Sequence, residues 1–226
     1  QHFLKYWYKL FDKQAYLDFK NTSRTELTIK LFKSKYEEQI YQIQKKIKNQ
    51  KKISFLHSGH IGDIINTLPV IKEIAKTHLC ELYINIDKPL EVYHHAHQAG
   101  NVYINKKIYE MLLPLLQSQT YIDKVNVYTN QSIDINFDLV RDLPINLLFD
   151  NLRYGSLIAG VQPDISQAYL NVEPHRTIVN KIVILRSLRY QNQFINYKFI
   201  ENYKDTLFVG TKDEYNELKK EIKNMD

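Results

Sequence analysis

The sequence predicts an α/β protein built on a parallel sheet, on three observations. From Ile53 onward, short apolar runs that read as strands alternate with segments of helical periodicity. A glycine-containing turn joins the first run to its helix, as strand–turn–helix–strand units require. The 226 residues are 44% hydrophobic, enough for a sizeable core, which excludes intrinsic disorder.

Residues 1–52 read as a helical extension. Tyr36, Ile40, Ile43 and Ile47 recur at helical spacing, and no Gly or Pro interrupts the segment. A strand follows at Ile53–His57, then a helix whose Ile64, Leu68, Ile71 and Ala75 share one face, with Pro69 expected early enough to be tolerated. Leu82–Ile86 reads as a second strand, 107–118 as a helix, Val125–Tyr128 as a third strand, and Leu143–Ile158 as a helix apart from Pro144. Turn residues without periodicity run from Gly160 to His175 and mark a boundary. Beyond it, Ile182–Leu185 and Thr206–Val209 read as strands, and 196–203 and 212–224 as helices. The expected organisation is a helical extension (1–52), a Rossmann-like domain (53–160), a linker (161–178) and the start of a second Rossmann-like domain (179–226). The missing initiator Met and the half-built second layer suggest a piece of something longer.

Composition excludes several classes. One cysteine, Cys80, rules out an intrachain disulfide and any multi-cysteine metal centre. No apolar run approaches a membrane span, and no signal peptide opens the chain, so the default compartment is the cytoplasm. The net charge of +6 is concentrated in residues 1–52, where 12 Lys and 1 Arg face 5 acids. A solvated basic face explains this better than a nucleic-acid partner, because the segment has only Arg24 for fork-like recognition. The aromatic, cationic stretch 1–11 either packs on a neighbouring domain or makes peripheral contact with an anionic membrane. His94-His95-Ala96-His97 lacks a Cys set, HExxH is absent, and no metal is expected.

The sharpest feature is the loop His57-Ser58-Gly59-His60-Ile61-Gly62-Asp63, at the carboxyl end of the first strand, where open α/β sheets bind ligands. It is neither G-x-G-x-x-G nor a P-loop. Asp63 sits where a phosphate would lie, and two like charges about 4 Å apart repel by about 1 kcal/mol or more. The loop suits a carboxylate that takes a proton from a hydroxyl; alternatively Asp63 only caps its helix. Asp134, Asp138, Arg141 and Asp142 form a charged cluster that reads as a structural ion pair.

Gly59-His60-Ile61-Gly62-Asp63 followed by Leu68-Pro69 resembles the G-x-[IL]-G-D…P segment of heptosyltransferase-like (family 9) glycosyltransferases. Ile184–Asn192 and Phe208-Val209-Gly210-Thr211 look like the opening of the nucleotide-sugar domain in distant bacterial and viral relatives. The resemblance covers residues 53–223 and implies a GT-B-like architecture of two Rossmann-like domains. It implies a metal-independent transferase in polysaccharide biosynthesis, with a nucleotide sugar as donor substrate and a glycan or other hydroxyl as acceptor. On it, Asp63 is the general base, and His57, Ser58, Gly59, His60 and Gly62 form the acceptor loop. Arg186, Ser187, Arg189, Gly210 and Thr211 hold the donor diphosphate. The family's later donor segment lies beyond residue 226, so this stretch is expected to turn over weakly or not at all. The alternative is a non-catalytic α/β binding or scaffold module docking through its basic aromatic N-terminal helices.

Overall fold

The computed structural model describes residues 2–91, 99–142, 151–173, 181–186, 192 and 194–222. Backbone contacts divide the chain into a first unit, Gln1–Val92 with Asn101–Asn171, and a second, Tyr93–Gly100 with Val172–Asp226.

The first unit opens with three helices, α1 (His2–Phe11), α2 (Lys13–Lys35) and α3 (Glu37–Asn49). Asp12 separates α1 from α2, and its carboxylate accepts the Ala15 amide as an N-cap. Tyr36, at the α2–α3 junction, and Ile40 and Ile43 of α3 are buried in the main core. The α/β part then runs β1 (Lys52–His57), α4 (Ile61–Ile74), β2 (Leu79–Ile84), α5 (Lys106–Gln117), β3 (Lys124–Val127), β4 (Ile135–Asn136), α6 (Leu139–Asp142) and α7 (Asn151–Ala159). Pro69 lies past the first turn of α4, later than expected, and the helix continues through it to Ile74 despite the missing amide.

All four strands are parallel, in the order β3-β2-β1-β4, which gives a Rossmann-like α/β sheet. Register places Ile53, Phe55, His57, Cys80, Leu82, Ile84, Val125 and Ile135 on one face. This apolar face carries the core with α3, α4, α5 and α7; Ile53, Phe55, Ile64, Leu68, Ile71, Leu82 and Ile84 are wholly buried. Each such side chain contributes roughly 1.5–3 kcal/mol.

The opposite face carries Lys52, Ser54, Glu81, Tyr83 and Lys124. Glu81 is buried there and paired with Lys52 at 2.9 Å and Lys124 at 3.5 Å. A charge inside β2 explains why the strand, expected from Leu82, in fact starts at Leu79. Residues 128–134 must connect β3 to β4 across this face, because the two strands lie at opposite edges. Seven extended residues reach about 25 Å, and three strand spacings take up about 14 Å before any return along the strands. An extended strap therefore replaces a crossover helix, and the Ser54 hydroxyl donates to the Ser132 carbonyl at 3.1 Å beneath it.

Residues 161–171, expected as linker, fold onto the first unit. Lys72 Nζ donates to the Ala168 carbonyl at 2.6 Å, the Tyr121 hydroxyl to the Tyr169 carbonyl at 2.6 Å, and the Asn171 amide to Gln119 at 2.8 Å.

The second unit contains parallel strands β5 (Ile182–Ile184) and β6 (Thr206–Phe208), a 3-10 helix (Tyr197–Asn202) and α8 (Lys212–Glu221). Its core is Ile184, Ile200, Leu218 and Ile222. No described helix is long and apolar enough to cross a membrane.

Candidate functional site

Parallel strands deliver their carboxyl ends to one edge, and the strand order reverses between β1 and β4, the switch point at which such sheets bind ligands. Three chain segments meet there: the β1–α4 loop, the residues after β4, and the return after β2. Asp87 to Leu90 pairs with residues 101–104, through Asp87 N to Ile104 O and Leu90 N to Asn101 O, both at 2.8 Å. This pairing sets Lys88 beside Tyr103.

Asp138 is the hub. One carboxylate oxygen accepts the Ser58 amide at 2.8 Å and Arg141 Nη1 at 2.6 Å. The other accepts the Ser58 hydroxyl in a short contact and Lys88 Nζ at 3.0 Å. Burial alone would raise this carboxyl, but the Ser58 hydrogen bonds and the two cations outweigh it and hold it at about 2. With both oxygens engaged and a low pKa, Asp138 is a poor base; it ties the end of β1 to the end of β4. The structural ion-pair reading of this cluster thus matches the Asp138–Arg141 contact.

His57 is buried, and its Nδ1 accepts the Gly59 amide at 2.8 Å, which fixes that nitrogen unprotonated. Burial pulls its pKa down to about 4, so the nearby Asp138, at 3.8 Å, does not make it an imidazolium at neutral pH. Gly59 is demanded by crowding: an added Cβ would stand 2.4 Å from His57 Cε1, 2.6 Å from Arg141 Nη2 and 2.8 Å from the Asp63 Cβ. By contrast, Gly62 faces open space.

Asp63 lies in the first turn of α4, and its carboxylate accepts the His60 amide at 3.2 Å. Arg141 Nη2 stands 3.9 Å away, and its guanidinium stacks on Tyr103 at 4.3 Å. The Asp63 side chain is 31% exposed. His60 Nδ1 lies 3.2 Å from the Tyr103 carbonyl. Of the expected acceptor loop, His57, Ser58 and Gly59 are therefore buried, with their polar groups engaged inside the fold. His60, Gly62 and Asp63 reach solvent.

In the second unit, Arg186 follows β5. Its Nη2 pairs with Glu221 at 2.9 Å and the guanidinium lies 4.4 Å from the Tyr197 ring, while Nε and Nη1 are buried without hydrogen-bond partners among the described residues. Thr211 caps α8: its hydroxyl and amide bond the Glu214 carboxylate at 3.0 and 2.8 Å, which sets an acid where a phosphate would approach the helix. Gly210 packs against Phe208, whose ring an added Cβ would meet at 2.6 Å. Ser187, Arg189 and the His94, His95, His97 group lie outside the described residues, as does the 143–150 portion of the expected 143–158 helix. Among the described residues, no three metal-ligating side chains come together.

Lys88 and Tyr103 are site residues that sequence reasoning missed. Their place depends on pairing of the 87–90 and 101–104 segments, which no local pattern announces. No family model, curated protein or solved structure matches the chain.

Proposed function

We propose that the chain belongs to a glycosyltransferase of heptosyltransferase-like GT-B type, transferring a sugar from a nucleotide-sugar donor to an acceptor hydroxyl. The observation that carries the reading is Asp63: a carboxylate at the carboxyl edge and strand-order switch point, oriented by the His60 amide and with its side chain 31% exposed. In this reading the acceptor oxygen attacks the anomeric carbon and its proton passes to Asp63. The bond from that carbon to the diphosphate breaks, and the nucleoside diphosphate leaves with the electron pair. Donor-diphosphate binding falls to Arg186 of the second unit, whose Nε and Nη1 are buried without a hydrogen-bond partner among the described residues.

A second reading has its own observation. The Asp63 carboxylate serves the helix start as well, which is all a non-catalytic binding module requires of it. Calorimetric titration of ADP-, UDP-, GDP- and CMP-linked sugars into the protein separates the two. The transferase reading expects saturable binding of one of them, weakened at least about tenfold in Arg186→Gln by loss of a charged hydrogen bond. Binding of none favours the module.

A further inference from the structure

Helix α1 carries an unpartnered face of unusual composition. At 100° per residue, Phe3, Tyr6, Trp7, Leu10 and Phe11 fall on one arc, and Lys5 and Lys9 on the opposite side. The aromatic arc is open: Phe3 is 77% exposed, Trp7 51%, Leu10 76% and Phe11 68%. Trp7 and Phe11 pack against each other in a tilted pair, with ring centroids 4.5 Å apart. The contact with α2 uses a different side of the helix, through Tyr8 and Phe19 at 6.2 Å. Packing within the first unit therefore leaves the aromatic arc uncovered.

We propose that α1 lies flat in the headgroup region of an anionic lipid bilayer, with Phe3, Trp7, Leu10 and Phe11 inserted and the lysines facing lipid phosphates and water. Two features select this occupant. Trp and Phe on one side with Lys on the other is the composition of an interfacial helix. The surrounding charge matches it, since residues 1–52 carry 13 basic side chains against 5 acidic ones, while the rest of the chain is slightly acidic. Lys5 and Lys9 on the side opposite the aromatic arc hold the helix at the headgroup level, so the contact is peripheral. The inference does not rest on the sugar-transfer reading, because no α1 residue belongs to that site.

Trp7 is the chain's one tryptophan, so its emission reports directly on the arc. The experiment titrates the full chain with vesicles of equimolar phosphatidylglycerol and phosphatidylcholine, and with pure phosphatidylcholine vesicles. A blue shift with the anionic vesicles, reversed by high salt and absent with the neutral ones, is the expected result. The triple variant Phe3→Ser, Leu10→Ser, Phe11→Ser keeps Trp7 and removes only exposed side chains, so it should retain its circular dichroism and lose at least about tenfold in partitioning. An unchanged Trp7 emission at saturating anionic lipid overturns the proposal. So does an equal response to neutral vesicles. A blue shift that grows with protein concentration in lipid-free buffer, with no vesicle binding, overturns it in favour of a second copy of the chain.

Discussion

In the first unit, β1 is buried from Ile53 to His57, flanked by strands on both sides and packed under helices on its apolar face. In the second, β5 has one neighbouring strand among the described residues and leaves Ile182 and Val183 42% and 47% exposed. A parallel strand is stable when both its faces are covered, and a two-stranded pair is marginal by itself. Polar groups follow the same division. The first unit surrounds the buried Asp138 carboxylate with four donors, whereas in the second two buried Arg186 donors have no partner among the described residues. The larger cluster supports a saturated polar hub; in the second unit, whose core among the described residues is Ile184, Ile200, Leu218 and Ile222, Arg186 still has bonds to make.

The strongest way to break this contrast is to remove the hub. Asp138→Ala leaves Arg141, Lys88 and Ser58 without their acceptor and is expected to cost about 3–5 kcal/mol in urea unfolding of the first unit. The hub also predicts a pH dependence. His57 has a usual value of 6.5 and is held near 4 by burial, so the unfolded chain takes up its proton first and stability falls as pH drops from about 6.5 towards 4. Asp138 has a usual value of 3.8 and is held near 2, so its contribution is complete above about 4 and is lost as pH falls through 2. His57→Asn should flatten the upper limb and Asp138→Asn the lower, in urea midpoints measured across that range.

Next in size is Leu218→Ala. It truncates a wholly buried side chain of the small core, at about 3 kcal/mol. Hydrogen exchange should show β5, β6 and α8 losing protection while β1 and β2 keep theirs. Loss of protection in β1 and β2 as well would contradict this expectation.

The smallest effects compare two glycines of one loop. Gly59→Ala forces a Cβ against the His57 ring and the Arg141 guanidinium, an overpacking of about 1–3 kcal/mol. Gly62→Ala meets open space in the first turn of α4 and should be neutral or stabilising by up to about 1 kcal/mol. Thermal melts of the pair read the difference.

What the sequence disclosed and what it hid follow from the range of the interactions. Apolar periodicity places β1, α4, α5, β3 and α8 within a few residues, because each is written into consecutive side chains. The two-residue β4 is invisible to such reading: Ile135-Asn136 is a strand only because it pairs with Phe55-Leu56 under the 128–134 strap. The packing of residues 161–171 on the first unit is equally non-local, resting on Lys72, Gln119 and Tyr121. At the site, the loop and Asp63 were legible as a glycine-bearing turn at a strand end. The division within that loop was not, since burial of His57, Ser58 and Gly59 depends on Asp138 and Arg141, about 80 residues away.

On the proposed sugar-transfer reading Asp63 takes the acceptor proton, a role that Asp63→Asn removes. Asparagine can still accept the His60 amide, so the helix start is kept while the base is lost. With a nucleotide sugar found by titration and a panel of hydroxyl acceptors, nucleoside-diphosphate release should fall at least about a hundredfold. Donor affinity and melting temperature should stay at wild-type values. Release at the wild-type rate in Asp63→Asn would contradict the account and leave Asp63 as a helix cap alone.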